Sequence, residues 1–189
     1  QKGKSTFGID ATAGRQTSEI GPMTLSVPLT SLSPGSHPAA REIYRSTKTY
    51  DHNEGLSCCF RQWRATHSHC RLIHGYALAF RFVFATHELD ERNWCLDFGG
   101  LKPVKAWLKH MFDHTMLVAE DDPELARFEE MHRDGLIDLR ILPSVGCEAT
   151  ARHVFDHVAD FAQRETGGRV WLESVEVKEH SGNSAIYSR

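Results

Sequence analysis

Within His67-Ser-His-Cys-Arg-Leu-Ile-His74, three histidines and one cysteine fall in eight residues, just ahead of an apolar run. Imidazole nitrogens suit zinc, and a catalytic zinc site keeps three protein ligands and one open position. On an extended segment His67 and His69 would share a face, and His74 could close the site from the next strand. The candidate ligands of a zinc ion are therefore His67, His69 and His74. Cys70 lies between His69 and Arg71. Cationic neighbours favour the thiolate, which makes Cys70 a candidate base or nucleophile. Asp113-His114 pairs a carboxylate with an imidazole that it can orient. Glu179 closes the run Val175-Glu-Val-Lys-Glu179 and could accept two N–H donors from a guanidine-like ring edge.

Positioning these groups requires strands and helices in a definite order. Leu56 to His67 reads as extended. Tyr76 to Ala85 reads as a strand, with Leu78, Phe80, Phe82 and Phe84 on one face. Trp94 to Phe98 reads as a short extended piece. Leu101, Val104, Leu108 and Met111 recur at helical spacing, and Pro103 fits the first turn of that helix. Asp122-Pro123 opens a shorter helix that Gly135 can close. Ile137, Leu139 and Ile141 alternate as a strand. Ala151, Val154, Phe155, Val158 and Ala162 form the apolar stripe of a helix from Glu148 to Gln163, ended by Gly167-Gly168. Arg169 to Glu179 is a strand, and Ser181-Gly-Asn183 turns it into a hairpin partner over Ala185 to Tyr187. Segregated strands and helices imply an α+β fold, an antiparallel sheet with helices on one face.

The chain has 189 residues and a formal net charge of −3, with 25% charged and 40% hydrophobic residues. This composition suits one soluble domain and gives no basic surface for nucleic acid. No run has membrane-spanning length, and no basic-then-apolar leader opens the sequence. Five cysteines, with Cys58 and Cys59 adjacent, do not suit a disulfide framework and point to a reducing cytoplasm. Cys58, Cys59 and Cys95 are expected in the core. Residues 1–41 are poor in large apolar groups and read as an arm preceding a domain over 42–189.

In order along the chain, these pieces resemble the 6-pyruvoyltetrahydropterin synthase and 6-carboxytetrahydropterin synthase family. The family pattern is an aromatic-x-Ala-x-His strand, a Cys, three residues, His-Gly-His, an Asp-Phe-x-x-Leu-Lys helix start, a Leu-Asp-His-x-x-Leu motif, a Thr/Ser-Glu helix start and a strand ending in Glu before a final Tyr strand. Trp63-Arg-Ala-Thr-His67, Cys70 with His74-Gly75, Asp97-Phe-Gly-Gly-Leu-Lys102, Phe112-Asp-His-Thr-Met-Leu117, Cys147-Glu148 and Val175 to Glu179 match it. In an alternative alignment Leu56-Ser-Cys-Cys-Phe60 is the first strand, and Phe60 takes the first ligand's place. Tyr76 replaces the second histidine of His-Gly-His, and His69 is the candidate substitute ligand.

The resemblance implies a tunnelling fold in which two main helices pack on one face of the sheet and subunits join their sheets into a barrel. A homohexamer with sites at subunit interfaces is the usual form. It implies Zn2+ and a pterin triphosphate substrate, with conversion of 7,8-dihydroneopterin triphosphate to 6-carboxy-5,6,7,8-tetrahydropterin, a queuosine-pathway lyase step. The alternatives are a 6-pyruvoyltetrahydropterin synthase and a pterin binder without turnover. By the same resemblance Cys70, Asp113 and His114 are catalytic, and Glu179 and Cys147 contact the substrate.

Overall fold

The structure is a computed structural model, and it describes residues 41–189. The expected arm falls outside the described residues, apart from Arg41. Eight strands form two four-stranded sheets. The first has the order β1-β4-β7-β8, from Tyr44–Tyr50, Ala79–Thr86, Val170–His180 and Asn183–Ser188, and is antiparallel throughout. The second has the order β3-β2-β5-β6, from His74–Ala77, Ser57–Phe60, Thr115–Ala119 and Leu139–Leu142. It is mixed: β2–β3 is antiparallel, whereas β2–β5 and β5–β6 are parallel.

The expected phase of the phenylalanine strand holds, since Leu78, Phe80, Phe82 and Phe84 are all buried. They pack into one core with Val104, Leu108 and Phe112 of α1 (Lys102–Phe112) and Ala151, Val154, Val158 and Ala162 of α3 (Cys147–Glu165). Pro103 lies in the first turn of α1, where its missing N–H is not needed. A short helix, α2 (Leu125–Arg133), buries Phe128 in a second cluster with Met116 and Val118. Every residue of β5 is buried, because neighbours cover both of its faces. No helix among the described residues is long and apolar enough to cross a membrane.

Three local expectations need correction. The extended segment proposed for Leu56 to His67 stops at Phe60, and residues 61–68 form turns before a 3-10 turn over His69–Arg71. Trp94 to Phe98 is not a strand but leads into a 3-10 turn over Phe98–Leu101, begun by Asp97 accepting from the Gly99 N–H at 2.7 Å. β1 was not expected. It is an edge strand whose side chains are mostly exposed, so it carries little hydrophobic alternation to read.

Candidate functional site

The site is built where β2 ends. Antiparallel pairing sets Phe60 opposite His74 and Cys58 opposite Tyr76. Paired residues share a face, and alternation then puts Cys58, Phe60, His74 and Tyr76 on the same side of the ribbon. The rings of Phe60, His74 and Tyr76 form a cluster. Their centroids are 4.9 Å apart for Phe60–His74, 6.3 Å for Phe60–Tyr76 and 5.7 Å for His74–Tyr76. Gly75, between the two β3 rings, permits this pairing, because a Cβ there would collide with the Cys58 carbonyl oxygen.

The loop after β2 carries Cys70 back beside the ribbon. Gln62 N–H donates to the Cys70 carbonyl at 2.8 Å, and the Cys70 N–H donates to Ser68 Oγ at 3.2 Å. The loop is pinned from outside by two aspartates. Arg61 bonds the buried Asp122 carboxylate at 2.6 and 2.8 Å, and Trp63 and Arg64 bond Asp121 at 3.1 and 2.6 Å. Cys70 is left half-buried.

Two further elements complete the site. Cys147 begins α3, and its thiol donates to the Val177 carbonyl at 3.2 Å. β7 ends in Glu179 and His180, and its register with β8 shifts between Lys178 and His180, so Glu179 sits at an irregularity of the ladder. Bulges of this kind re-aim a side chain at the end of a strand. Burial, followed by the charges of Glu179, Cys70 and Cys147, raises the Tyr76 phenol above its ordinary pKa. Burial, followed by the Glu179 carboxylate, pushes the Cys147 thiol up to about 11. Cys70, Cys147 and Glu179 therefore lie within electrostatic reach of Tyr76, and the His180 ring is 6.1 Å from that of Tyr76. With its thiol held protonated, Cys147 acts near neutral pH as a neutral hydrogen-bonding group.

Of the sequence-derived candidates, Cys70, His74, Cys147 and Glu179 come together. His67 and His69 do not join them as foreseen. Both are exposed, His67 in a turn and His69 in a 3-10 turn, so the shared face that strand alternation would give them does not exist. Among the described residues no three His, Cys, Asp or Glu side chains are grouped to hold a metal ion. Asp113 and His114 form a close pair, His114 Nδ1 to Asp113 Oδ1 at 2.6 Å. His114 adopts a left-handed φ of 59° and its backbone N–H bonds the Ser57 carbonyl, at the start of β2. Ser57 and Phe60 are three residues apart, so the dyad sits about 10 Å along the strand from the ring cluster. His114 lines a cleft of about 500 Å3 with Ser57, Cys58, Cys59, Gly75 and Tyr76 of the ribbon.

The family's zinc was tested against these side chains. Phe60 and Tyr76 occupy two of the three positions at which the family's pattern has histidine. Phenylalanine has no donor atom, and a phenol that keeps its proton is a poor ligand. His74 is suited in itself: its Nδ1–H donates to the Leu72 carbonyl at 2.8 Å, leaving Nε2 as the lone-pair nitrogen. One imidazole among two rings without free donors does not fit a tetrahedral zinc site. The structure thus favours the alternative alignment, with β2 as the family's first strand.

A sequence profile of the 6-pyruvoyl tetrahydropterin synthase family matches residues 49–189, and the chain belongs to that family. It is 30% identical over 59 residues to 6-carboxy-5,6,7,8-tetrahydropterin synthase of Rickettsia felis, covering 31% of this chain and 43% of that protein. The enzyme of the same name from Rickettsia bellii is 30% identical over 64 residues, covering 33% and 46%. The matched stretch thus spans less than half the length of these relatives. Among solved structures, an uncharacterized protein of Wolinella succinogenes superposes with a TM-score of 0.65 at 19% identity, covering 78% of this chain and 99% of the other. The 6-pyruvoyl tetrahydropterin synthase of Plasmodium vivax gives 0.59 at 13% identity, covering 78% and 98%. These likenesses establish the fold.

Proposed function

We propose that the chain binds a reduced pterin with a phosphorylated side chain, of which 7,8-dihydroneopterin triphosphate is the type, and acts on that side chain. The observation that carries this reading is the convergence of Cys70, Tyr76, Cys147 and Glu179 at the meeting of β2, β3, α3 and β7. A pterin's amino-pyrimidine edge presents two parallel N–H donors, and a carboxylate accepts both. Glu179 is the carboxylate at this site. Cys70, half-buried on the neighbouring loop, is the group placed to take a proton from the side chain. The relatives' names favour 6-carboxy-5,6,7,8-tetrahydropterin as the product, with the 6-pyruvoyl compound as the alternative. The unpaired edges of both sheets fit assembly into a ring of subunits, as in the hexamers that the resemblance implies.

Incubating the purified chain with 7,8-dihydroneopterin triphosphate and resolving the products by mass tests this reading. Formation of 6-carboxy-5,6,7,8-tetrahydropterin, lost in Cys70→Ala, supports it. Failure to bind the compound at all overturns it. A second reading, binding without turnover, is favoured by one observation: the Asp113–His114 pair meets β2 at Ser57, about 10 Å along the strand from the ring cluster. Tight binding with unchanged substrate would select that reading.

A further inference from the structure

The ring cluster at the end of β2 has a consequence for how the pterin site works, and the inference rests on the pterin reading above. Phe60 is 1% exposed and belongs to the main core. Its ring fills the space beside His74 with carbon, where a metal ligand would need a nitrogen. Tyr76 packs against that core from the other strand and carries the only hydroxyl of the three side chains. The Tyr76 ring lies 5.7 Å from that of His74 and 6.1 Å from that of His180, the residue after Glu179. His67 and His69, the remaining imidazoles of the segment, are exposed on the loop and are not grouped with His74 to hold an ion.

We infer that this chain's site works without a metal ion, and that the Tyr76 hydroxyl takes the place of the ion as the group that bonds the ligand's side-chain oxygens. A phenol that keeps its proton donates a hydrogen bond to an alcohol or phosphate oxygen and accepts one in return. It contributes no Lewis acidity. The site is therefore one of hydrogen bonds and carboxylate recognition, specific for an oxygen-rich pterin side chain.

Zinc content and pterin affinity test this separately. The full chain, purified from zinc-supplemented medium, is expected to hold less than about 0.1 zinc per chain. Its affinity for 7,8-dihydroneopterin triphosphate should be unchanged by a chelator. Tyr76→Phe should weaken that affinity by about tenfold, the loss expected for one hydrogen bond to a charged or strongly polar oxygen. The double variant Phe60→His/Tyr76→His should gain zinc, or cobalt with a tetrahedral absorption spectrum. Because Phe60 is a core residue, this variant can fail to fold, and the wild-type measurements then decide alone. A wild-type chain with more than half an equivalent of zinc, lost in His74→Ala, overturns the inference. So does full affinity in Tyr76→Phe. Zinc retained in His74→Ala would lie elsewhere on the chain and leaves the inference standing. A metal-free chain that binds no pterin would sink the pterin reading instead, so the two failures are distinct.

Discussion

The guanidinium of Arg61 grips the fully buried carboxylate of Asp122 through two bonds, 2.6 and 2.8 Å long. Arg61 directly follows Phe60, and Asp122 also accepts the Glu124 N–H at 2.9 Å just before α2. The pair thus ties the exit of β2, and with it the loop that carries Cys70, to the second helix. Burial alone would raise the Asp122 pKa. The bonds from Arg61 and the Glu124 N–H outweigh it and hold the carboxyl below its ordinary value. Asp122→Ala leaves a partly buried guanidinium unmatched and should cost about 3 kcal/mol in urea unfolding. Because the folded-state pKa is depressed, this stabilisation is present above the unfolded value of about 3.9 and is lost as pH falls through the folded one. Acid titration of the wild type against Asp122→Ala should show that difference vanish at low pH.

Gly75 separates His74 from Tyr76 with no room for a side chain. Gly75→Ala forces β3 away from the Cys58 carbonyl and should destabilise the chain by about 1–3 kcal/mol. It should also disturb Tyr76. Thermal melting measures the first effect, and pterin affinity the second. A variant as stable as the wild type would show that the β2–β3 pairing is looser than described.

Glu179→Gln keeps the shape of the side chain but replaces one acceptor oxygen with a donor. Against a ring edge that offers two N–H groups, the new NH2 faces a donor and the charge is gone. Pterin affinity should fall by about 10- to 100-fold. Calorimetry with 7,8-dihydroneopterin triphosphate would read it directly, and circular dichroism should show an intact fold.

His153 and His157 lie one turn apart on α3, against Trp107 of α1. The His157 ring stacks on the indole at 3.8 Å and 7°, and the Nε2 atom of His153 is buried with no partner among the described residues. Burial lowers the pKa of both, although Asp156 and Asp160 pull the other way. A depressed histidine pKa means that the unfolded chain binds protons first. Stability from this pair should therefore be complete above about pH 6.5 and fall as pH drops below it. Urea midpoints at pH 7.5 and 5.5 should differ by less in His153→Gln than in the wild type.

The sequence was most legible where one side of an element is buried. The phenylalanines of β4 and the stripe on α3 declared both their type and their inward face. Gly135 and Gly167-Gly168 declared where α2 and α3 stop, and all three adopt left-handed φ. β1 was silent because its side chains face solvent. At the site, Cys70, Cys147 and Glu179 were singled out by chemistry, order and the family resemblance, whereas the shared face expected of His67 and His69 is absent. Proximity in sequence suggested a shared face for His67 and His69. The Arg61–Asp122 and Arg64–Asp121 pairs instead draw that segment into turns, and such long-range ion pairs leave no local pattern. The facing of Phe60 and Tyr76 was latent in two short runs, Ser57–Phe60 and His74–Ala77, but only the pairing register reveals it.

Three imidazoles gathered at one point leave bare lone pairs crowded together until an ion arrives to join them. The Phe60, His74 and Tyr76 rings instead satisfy one another by packing, with His74 already committed to the Leu72 carbonyl. On the metal-free reading, the site waits for no ion once the chain has folded and assembled. Its level of working protein would hold steady in a cell starved of zinc.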